Sequence, residues 1–147
     1  MQAVLLANVF ATCFMTGLIW FVQVVHYPLF AAVGEAEFPS YSRAHQFRTT
    51  LVVGPVMLVE ALTALLLALD VPAGTPPTLA WIGVALLAIV WISTAALQVP
   101  AHTRLLTGLD GSVVRRLVAS NWIRTIAWSA RAIVAIAMLA LAMRHES

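Results

Sequence analysis

Four long apolar runs limit what this chain can fold into. They cover residues 3–25, 49–69, 78–99 and 118–143, and each reaches the roughly 20 residues that an α-helix needs to cross the hydrocarbon core of a bilayer. The sequence is 62% hydrophobic and 10% charged, whereas about a quarter of the residues in an average soluble protein are charged. We therefore predict an all-α fold, a four-helix transmembrane bundle that forms a single membrane domain over residues 1–147.

The first apolar run has a second interpretation, a cleaved signal peptide. Against it, the run has no basic region before it, is longer than the apolar part of such a peptide, and has no small-residue cleavage site directly after it. We therefore count this run as a span.

The distribution of arginine predicts how the helices are oriented. The connections after the first and third runs carry Arg43, Arg48, Arg104, Arg115 and Arg116. The opposite side has only Arg144. Because basic residues concentrate in cytoplasmic loops, we predict an up-down-up-down bundle with both termini on the non-cytoplasmic side. The predicted location is the bacterial inner (plasma) membrane.

The two arginine-bearing connections are long enough to contain helices at the membrane surface. They cover residues 26–48 and 100–117 and include Pro28 and Pro100. Because proline lacks a backbone N–H, we expect these two residues to end or kink the first and third helices and to free backbone carbonyls there.

Polar residues recur inside all four runs at helical spacing. The stripes are Asn8, Thr12, Thr16 and Gln23; Thr49, Glu60 and Thr63; Trp91, Thr94 and Gln98; and Asn121, Arg124, Thr125, Trp128 and Arg131. Unpaired polar groups are costly in hydrocarbon, so we expect these stripes to face the interior of the bundle and to meet there.

Three charged residues are the predicted catalytic residues. Glu60 and Arg131 lie at similar depths near the middle of the membrane, which predicts an ion pair. One carboxylate cannot neutralise both Arg131 and Arg124, and the surplus charge favours an anionic or carbonyl ligand in a cavity open to the cytoplasm. There Glu60 would act as acid or base and the arginines would stabilise an oxyanion. The alternative is that these residues only hold the helices together.

Three histidines, His26, His45 and His102, come from different span ends but from the same predicted rim of the bundle. Three imidazoles could bind zinc, iron or copper, and two could bind a haem. No local ligand motif such as HxxxH accompanies them, so we predict hydrogen-bonded rim histidines and no metal site, with the cofactor unknown. The predicted ligand pocket comprises Gln23, His26, Tyr27, Tyr41, His45, Gln98, His102, Asn121 and Trp128.

Four segments carry a resemblance to known proteins: QVVHYPLF, GPVMLVEA, LQVPAH and NWIRTIAWSAR. With them the chain resembles, over essentially its whole length, a group of small bacterial four-helix membrane proteins without an established activity. In size and helix number it is also similar to anthrone-oxygenase-like membrane proteins, which oxidise aromatic polyketides. The second resemblance is architectural and implies no catalytic residue.

Together these features predict a multi-pass membrane protein with a buried polar cavity. The first hypothesis is an oxidoreductase or related enzyme acting on a lipophilic aromatic or quinone-like molecule. The alternatives are a non-enzymatic accessory protein that binds lipid or a partner, and a small transporter. The expected partners are membrane lipid, a lipophilic small molecule and a second copy of the chain. The net charge of +2 comes from scattered residues and excludes nucleic acid.

Overall fold

A computed structural model describes residues 1–146 as four long helices with short connections. The helices cover Gln2–Ala32, Phe38–Leu69, Pro77–Arg104 and Gly111–Glu146. All four are long and apolar enough to cross a membrane, and the described residues contain no strand. The prediction of an all-α bundle of four apolar helices is confirmed.

The helices are longer than the apolar runs, so most of both predicted connections is helical and only short segments separate the helices. The first helix continues to Ala32 and the second begins at Phe38, and the third continues to Arg104 before the fourth begins at Gly111. Hydropathy detects only the part of a helix that lies in hydrocarbon, whereas its backbone hydrogen bonds continue into the polar interface. The third helix has 28 residues, about 42 Å at 1.5 Å per residue, which also spans the headgroup regions.

Neither Pro28 nor Pro100 ends its helix. Of the two expected effects, an end or a kink, the first is therefore wrong. Each follows a π-helical turn, Val22–His26 in the first helix and Thr94–Gln98 in the third. The backbone N–H of Tyr27 donates to the carbonyl of Val22, five residues earlier, at 3.0 Å. This is the hydrogen-bond spacing of a π-helix. The helix then continues through the proline, which needs no carbonyl acceptor of its own.

A side-chain cap fixes the start of the fourth helix. Asp110 Oδ1 accepts hydrogen bonds from the backbone N–H groups of Ser112 at 2.8 Å and Val113 at 3.3 Å. The hydrogen bond from the Ser112 side chain, followed by the one from the Ser112 backbone N–H, holds the pKa of the Asp110 carboxyl below its ordinary value. The ionised carboxylate thus satisfies donors that every helix start leaves free.

Three apolar clusters form the core, one at each end and one in the middle. The cluster near the termini contains Leu5, Leu67, Ala68, Ala80, Met138 and Ala142, and the middle one Met15, Ile19, Met57, Val90, Ala127 and Trp128. The cluster at the histidine end contains Tyr27, Phe30, Phe38, Leu105, Val113, Val114 and Leu117. Large apolar side chains also cover the outside of the bundle. Because lipid is as apolar as these side chains, packing and polar contacts inside must hold the helices together.

The polar stripes face the interior, as predicted. The buried members are Asn8, Thr12, Gln23, Glu60, Thr63, Gln98, Asn121, Arg124, Thr125, Trp128 and Arg131. Trp91 is the exception, because 40% of its surface is exposed on the outside of the bundle.

Candidate functional site

A buried ion pair joins the second and fourth helices, as predicted. Arg131 Nε donates to Glu60 Oε1 at 2.7 Å, and both side chains are almost completely buried. Glu60 also accepts hydrogen bonds from the Thr12 hydroxyl at 2.9 Å and the Trp128 indole N–H at 3.0 Å. Arg131 Nη1 donates to the carbonyl of Gly83 at 2.5 Å. One residue or more from each helix therefore contacts this pair.

Little free space remains around the ion pair. The cavity beside Arg131 has a volume of about 10 Å³, at the lower limit for one water molecule. Asn8, which also lines this cavity, donates to the Thr63 hydroxyl at 2.9 Å and to the Glu60 carbonyl at 3.3 Å. A substrate has no room beside Glu60 and Arg131, and their predicted catalytic role stays a prediction.

The second buried arginine of the fourth helix has only neutral partners. Arg124 donates from Nε to Asn121 Oδ1 at 2.9 Å, and from Nη2 to the same oxygen, to the Tyr27 hydroxyl at 3.2 Å and to Gln98 Oε1 at 3.4 Å. Nη1 has one contact, with the Thr94 hydroxyl at 3.5 Å. Among residues 1–146, no carboxylate pairs with this guanidinium, which is only 8% exposed.

A second row of hydrogen bonds orients the partners of Arg124. The Asn121 amide N–H donates to Gln23 Oε1 at 2.8 Å, and Gln23 in turn donates to the carbonyl of Val118 at 3.2 Å. The Gln98 amide N–H donates to the Ser120 hydroxyl at 2.9 Å. Since their amide nitrogens are engaged in this way, Asn121 and Gln98 present their oxygens to Arg124.

The hydrogen bonds continue from Arg124 to the histidines. The Tyr27 hydroxyl and His102 Nε2 lie 2.9 Å apart. Because Arg124 can only donate to the Tyr27 oxygen, the hydroxyl hydrogen is free to be donated to His102 Nε2. The proton of the neutral imidazole then resides on His102 Nδ1, which is buried and has no partner among the described residues.

The three rim histidines converge, as predicted. His26 Nε2 and His45 Nδ1 lie 2.9 Å apart, and the ring centroids of His45 and His102 are separated by 5.4 Å. The Thr49 hydroxyl also contacts His45 Nδ1, at 3.1 Å. Within residues 1–146, no group of three or more His, Cys, Asp or Glu side chains is arranged to hold a metal ion. The geometry thus gives no support to the metal alternative.

A cavity of about 430 Å³ lies between the second and third helices, within the usual size range of small-molecule sites. Its polar part, at the histidine end, is lined by Tyr27, His45, Gln46, Gln98, His102 and Arg124. Its apolar part, toward the middle of the bundle, is lined by Val53, Gly54, Met57, Leu58 and Trp91. The lining residues 46–58 of the second helix extend over about 18 Å at 1.5 Å per residue.

The cavity opens along the side of the bundle. Leu58 and Thr50 of the second helix and Trp91 and Val99 of the third line the cavity and are also exposed on the outer surface. This surface would face lipid in a membrane. The predicted opening toward the cytoplasm stays a prediction.

The structure separates the predicted site residues into two groups. Those that line the cavity are Tyr27, His45, Gln98, His102 and Arg124. Those outside it are Gln23, His26, Tyr41, Glu60, Asn121, Trp128 and Arg131. The expectation that Glu60, Arg124 and Arg131 line one cavity is therefore corrected, because the middle core cluster and the Trp128 contact enclose the ion pair.

Several cavity residues were not predicted from the sequence. They form a stripe on the second helix, Gln46, Thr50, Gly54 and Met57. Gln46 also donates to the carbonyl of His102 at 2.9 Å. The spacing of these residues matches one face of a helix. The sequence predicts this face only if the second helix is taken to begin before Thr49.

Comparison with models of known protein families finds no match, and comparisons with curated proteins and with solved structures find none either.

Proposed function

We propose that the protein binds a lipophilic molecule in the cavity between its second and third helices. The observation that carries this proposal is the lateral cavity with a guanidinium at one end. Arg124 lines this cavity and has no carboxylate partner among residues 1–146, and exposed residues such as Leu58 and Trp91 form an entrance from the lipid side. A molecule dissolved in the bilayer could enter without crossing water.

The distribution of polar groups favours an elongated ligand with one polar end. Arg124 and Gln98 lie at the histidine end of the cavity, whereas Met57 and Leu58 lie toward the middle of the bundle. Since an arginine side chain only donates hydrogen bonds, the polar end of the ligand must carry an acceptor, such as a carbonyl, phenolate or carboxylate oxygen. The apolar part would contact the side chains around Met57.

An oxidoreductase acting on an aromatic or quinone-like molecule is the second candidate. The observation that favours it is the chain of hydrogen bonds from Arg124 through Tyr27 to His102. Reduction of a carbonyl takes a hydride from an external hydride donor to its carbon and a proton to its oxygen, and tyrosine and histidine are suitable donors of that proton. In this candidate Arg124 stabilises negative charge on that oxygen.

The proposal includes a location and an orientation. The arginines Arg43, Arg48, Arg104, Arg115 and Arg116 lie near the histidine end of the bundle. By the positive-inside rule this end faces the cytoplasm of a bacterial inner membrane, with the helices running up and down and both termini outside. A relationship to the small bacterial four-helix membrane proteins is consistent with this arrangement.

Photolabelling with benzophenone tests the binding site. Benzophenone is a lipophilic aromatic ketone that inserts into nearby C–H bonds on irradiation, with a preference for methionine. In lipid nanodiscs we expect labelling of Met57, which lines the cavity, well above that of Met143, which is exposed on the outside of the bundle. Peptide mass spectrometry gives the ratio of the two adducts.

A pair of glycine variants provides the control. A Cβ atom on Gly54 would meet only the Thr50 methyl group, at 4.0 Å, so the side chain of Gly54→Leu can enter the cavity. Gly17 has no atom within 4 Å of such a Cβ, and Gly17→Leu adds the same side chain away from the cavity. We expect Gly54→Leu alone to reduce the Met57 adduct about tenfold, the loss of some 1.4 kcal/mol of binding free energy. Equal labelling of Met57 and Met143 in the unmodified protein would refute the proposed site.

A further inference from the structure

We infer that the ligand is a lipophilic monoanion, with a carboxylate as its polar end, and that this carboxylate is the counter-ion of Arg124. The inference rests on the proposed function, because it assigns the charge of the molecule that the cavity binds. It depends on how Arg124 differs from the other buried arginine of the same helix.

Within the described part of the chain, no carboxylate compensates the buried charge of Arg124. The guanidinium of Arg131 is neutralised by Glu60 at 2.7 Å, but the partners of Arg124 are two amide oxygens and two hydroxyl groups, all neutral. A buried charge without a counter-ion is costly, and more so in a membrane than in water. A ligand that brings one negative charge removes this cost, whereas a neutral carbonyl compound does not.

The hydrogen bonds of Arg124 leave one nitrogen available. Nε and Nη2 share Asn121 Oδ1, and Nη2 also contacts Tyr27 and Gln98. Nη1 carries two N–H groups but contacts only the Thr94 hydroxyl, at the 3.5 Å limit of a hydrogen bond. Arg124 and Thr94 both line the cavity. An anionic oxygen in the cavity can therefore accept from Nη1 without displacing another partner.

The rest of the cavity fits a single apolar chain. From Gln46 to Leu58 the wall is about 18 Å long at 1.5 Å per residue, and beyond Thr50 it is apolar. The ligand class is therefore a long-chain carboxylic acid or an aromatic acid of similar length, with its carboxylate at Arg124 and its apolar part beside Met57.

Competition between dodecanoate and dodecanol tests the charge of the ligand. The two probes have the same chain and differ in the polar end. Each is added to nanodiscs of neutral phospholipid at a pH at which the carboxylate is ionised, and protection of Met57 from benzophenone is measured against the membrane-bound probe concentration. We expect dodecanoate to protect at a concentration about tenfold lower than dodecanol, as for a charge-assisted hydrogen bond.

Two variants locate the source of this preference. Arg124→Gln should remove the stronger protection by dodecanoate. Arg116→Gln, which changes an exposed arginine of the same helix, should leave the difference between the two probes unchanged. Equal protection by both probes, or a preference that persists in a folded Arg124→Gln protein, would overturn the inference while the proposed binding site stands. Absence of Met57 labelling before any competitor is added would instead refute the proposed function. The comparison of the two probes in the unmodified protein decides the question even if Arg124→Gln does not fold.

Discussion

The two buried arginines of the fourth helix lie seven positions apart and on the same face, but their surroundings differ. Arg131 has the carboxylate partner Glu60, a hydrogen bond to the Gly83 carbonyl of the third helix and almost no free space beside it. Arg124 has four neutral partners and lines a cavity of about 430 Å³. The same residue type on the same helix therefore serves different purposes at the two levels of the bundle.

The difference shows how to distinguish a structural charge from a functional one in a membrane protein. An ion pair that is enclosed between the helices with little space beside it specifies which helix faces lie together. A charge that the protein compensates incompletely, and places beside a cavity, is available to a ligand. The region around Arg131 should therefore determine stability, and the region around Arg124 should determine binding.

Replacing each arginine by glutamine is the strongest test of this comparison. Arg131→Gln leaves the buried Glu60 carboxylate without a counter-ion, and we expect a loss of about 3–5 kcal/mol in the free energy of unfolding. Arg124→Gln removes a charge that has no counter-ion among residues 1–146, so we expect a loss of about 1 kcal/mol or less. Denaturant unfolding in detergent micelles measures both values.

The double variant Glu60→Gln with Arg131→Gln serves as the control for the first prediction. Because it removes both charges together, it should recover most of the stability that either single change loses. Equal losses for Arg124→Gln and Arg131→Gln would contradict the division of the two arginines into structural and functional.

A smaller effect is expected from crowding the ion pair. A Cβ atom on Gly83 would lie 3.2 Å from Arg131 Nη1, so in Gly83→Val the guanidinium must shift by a few tenths of an ångström to make room for the added side chain. We expect a loss of about 1–3 kcal/mol in unfolding free energy, as for other overpacked interiors. Gly17→Val, at a position with nothing within 4 Å, should stay close to the unmodified protein. Similar stability of the two variants in thermal unfolding would mean that the ion pair tolerates displacement.

A small change in stability, similar to that of Arg124→Gln, is expected from the tyrosine beside the cavity. Tyr27→Phe removes the hydroxyl group that accepts from Arg124 and contacts His102 Nε2. Arg124 keeps its contacts with Asn121 and Gln98, so we expect the free energy of unfolding to fall by only about 1 kcal/mol, the net value of one hydrogen bond. A loss as large as that of Arg131→Gln would show that the two regions are equally important for stability.

The sequence predicts different parts of the site with different success. The helical spacing of Asn121, Arg124 and Arg131 identifies the inner face of the fourth helix, and counting depth identifies the partner of Arg131. The extent of the second helix before Thr49 is not predicted, because that segment contains arginine, histidine and proline and its hydropathy is low. The contribution of Gln46 to the cavity is missed for the same reason.

The sequence by itself determines that this chain forms four apolar helices, because only helices of that length can satisfy their backbone hydrogen bonds in hydrocarbon. It also determines which faces turn inward, because polar stripes avoid lipid. Only the tertiary structure decides that Arg131 is enclosed and Arg124 lines a cavity. Two π-helical turns, Val22–His26 and Thr94–Gln98, and the packing between helices set the positions of the side chains around Arg124. Regular helical spacing in the sequence does not predict these positions.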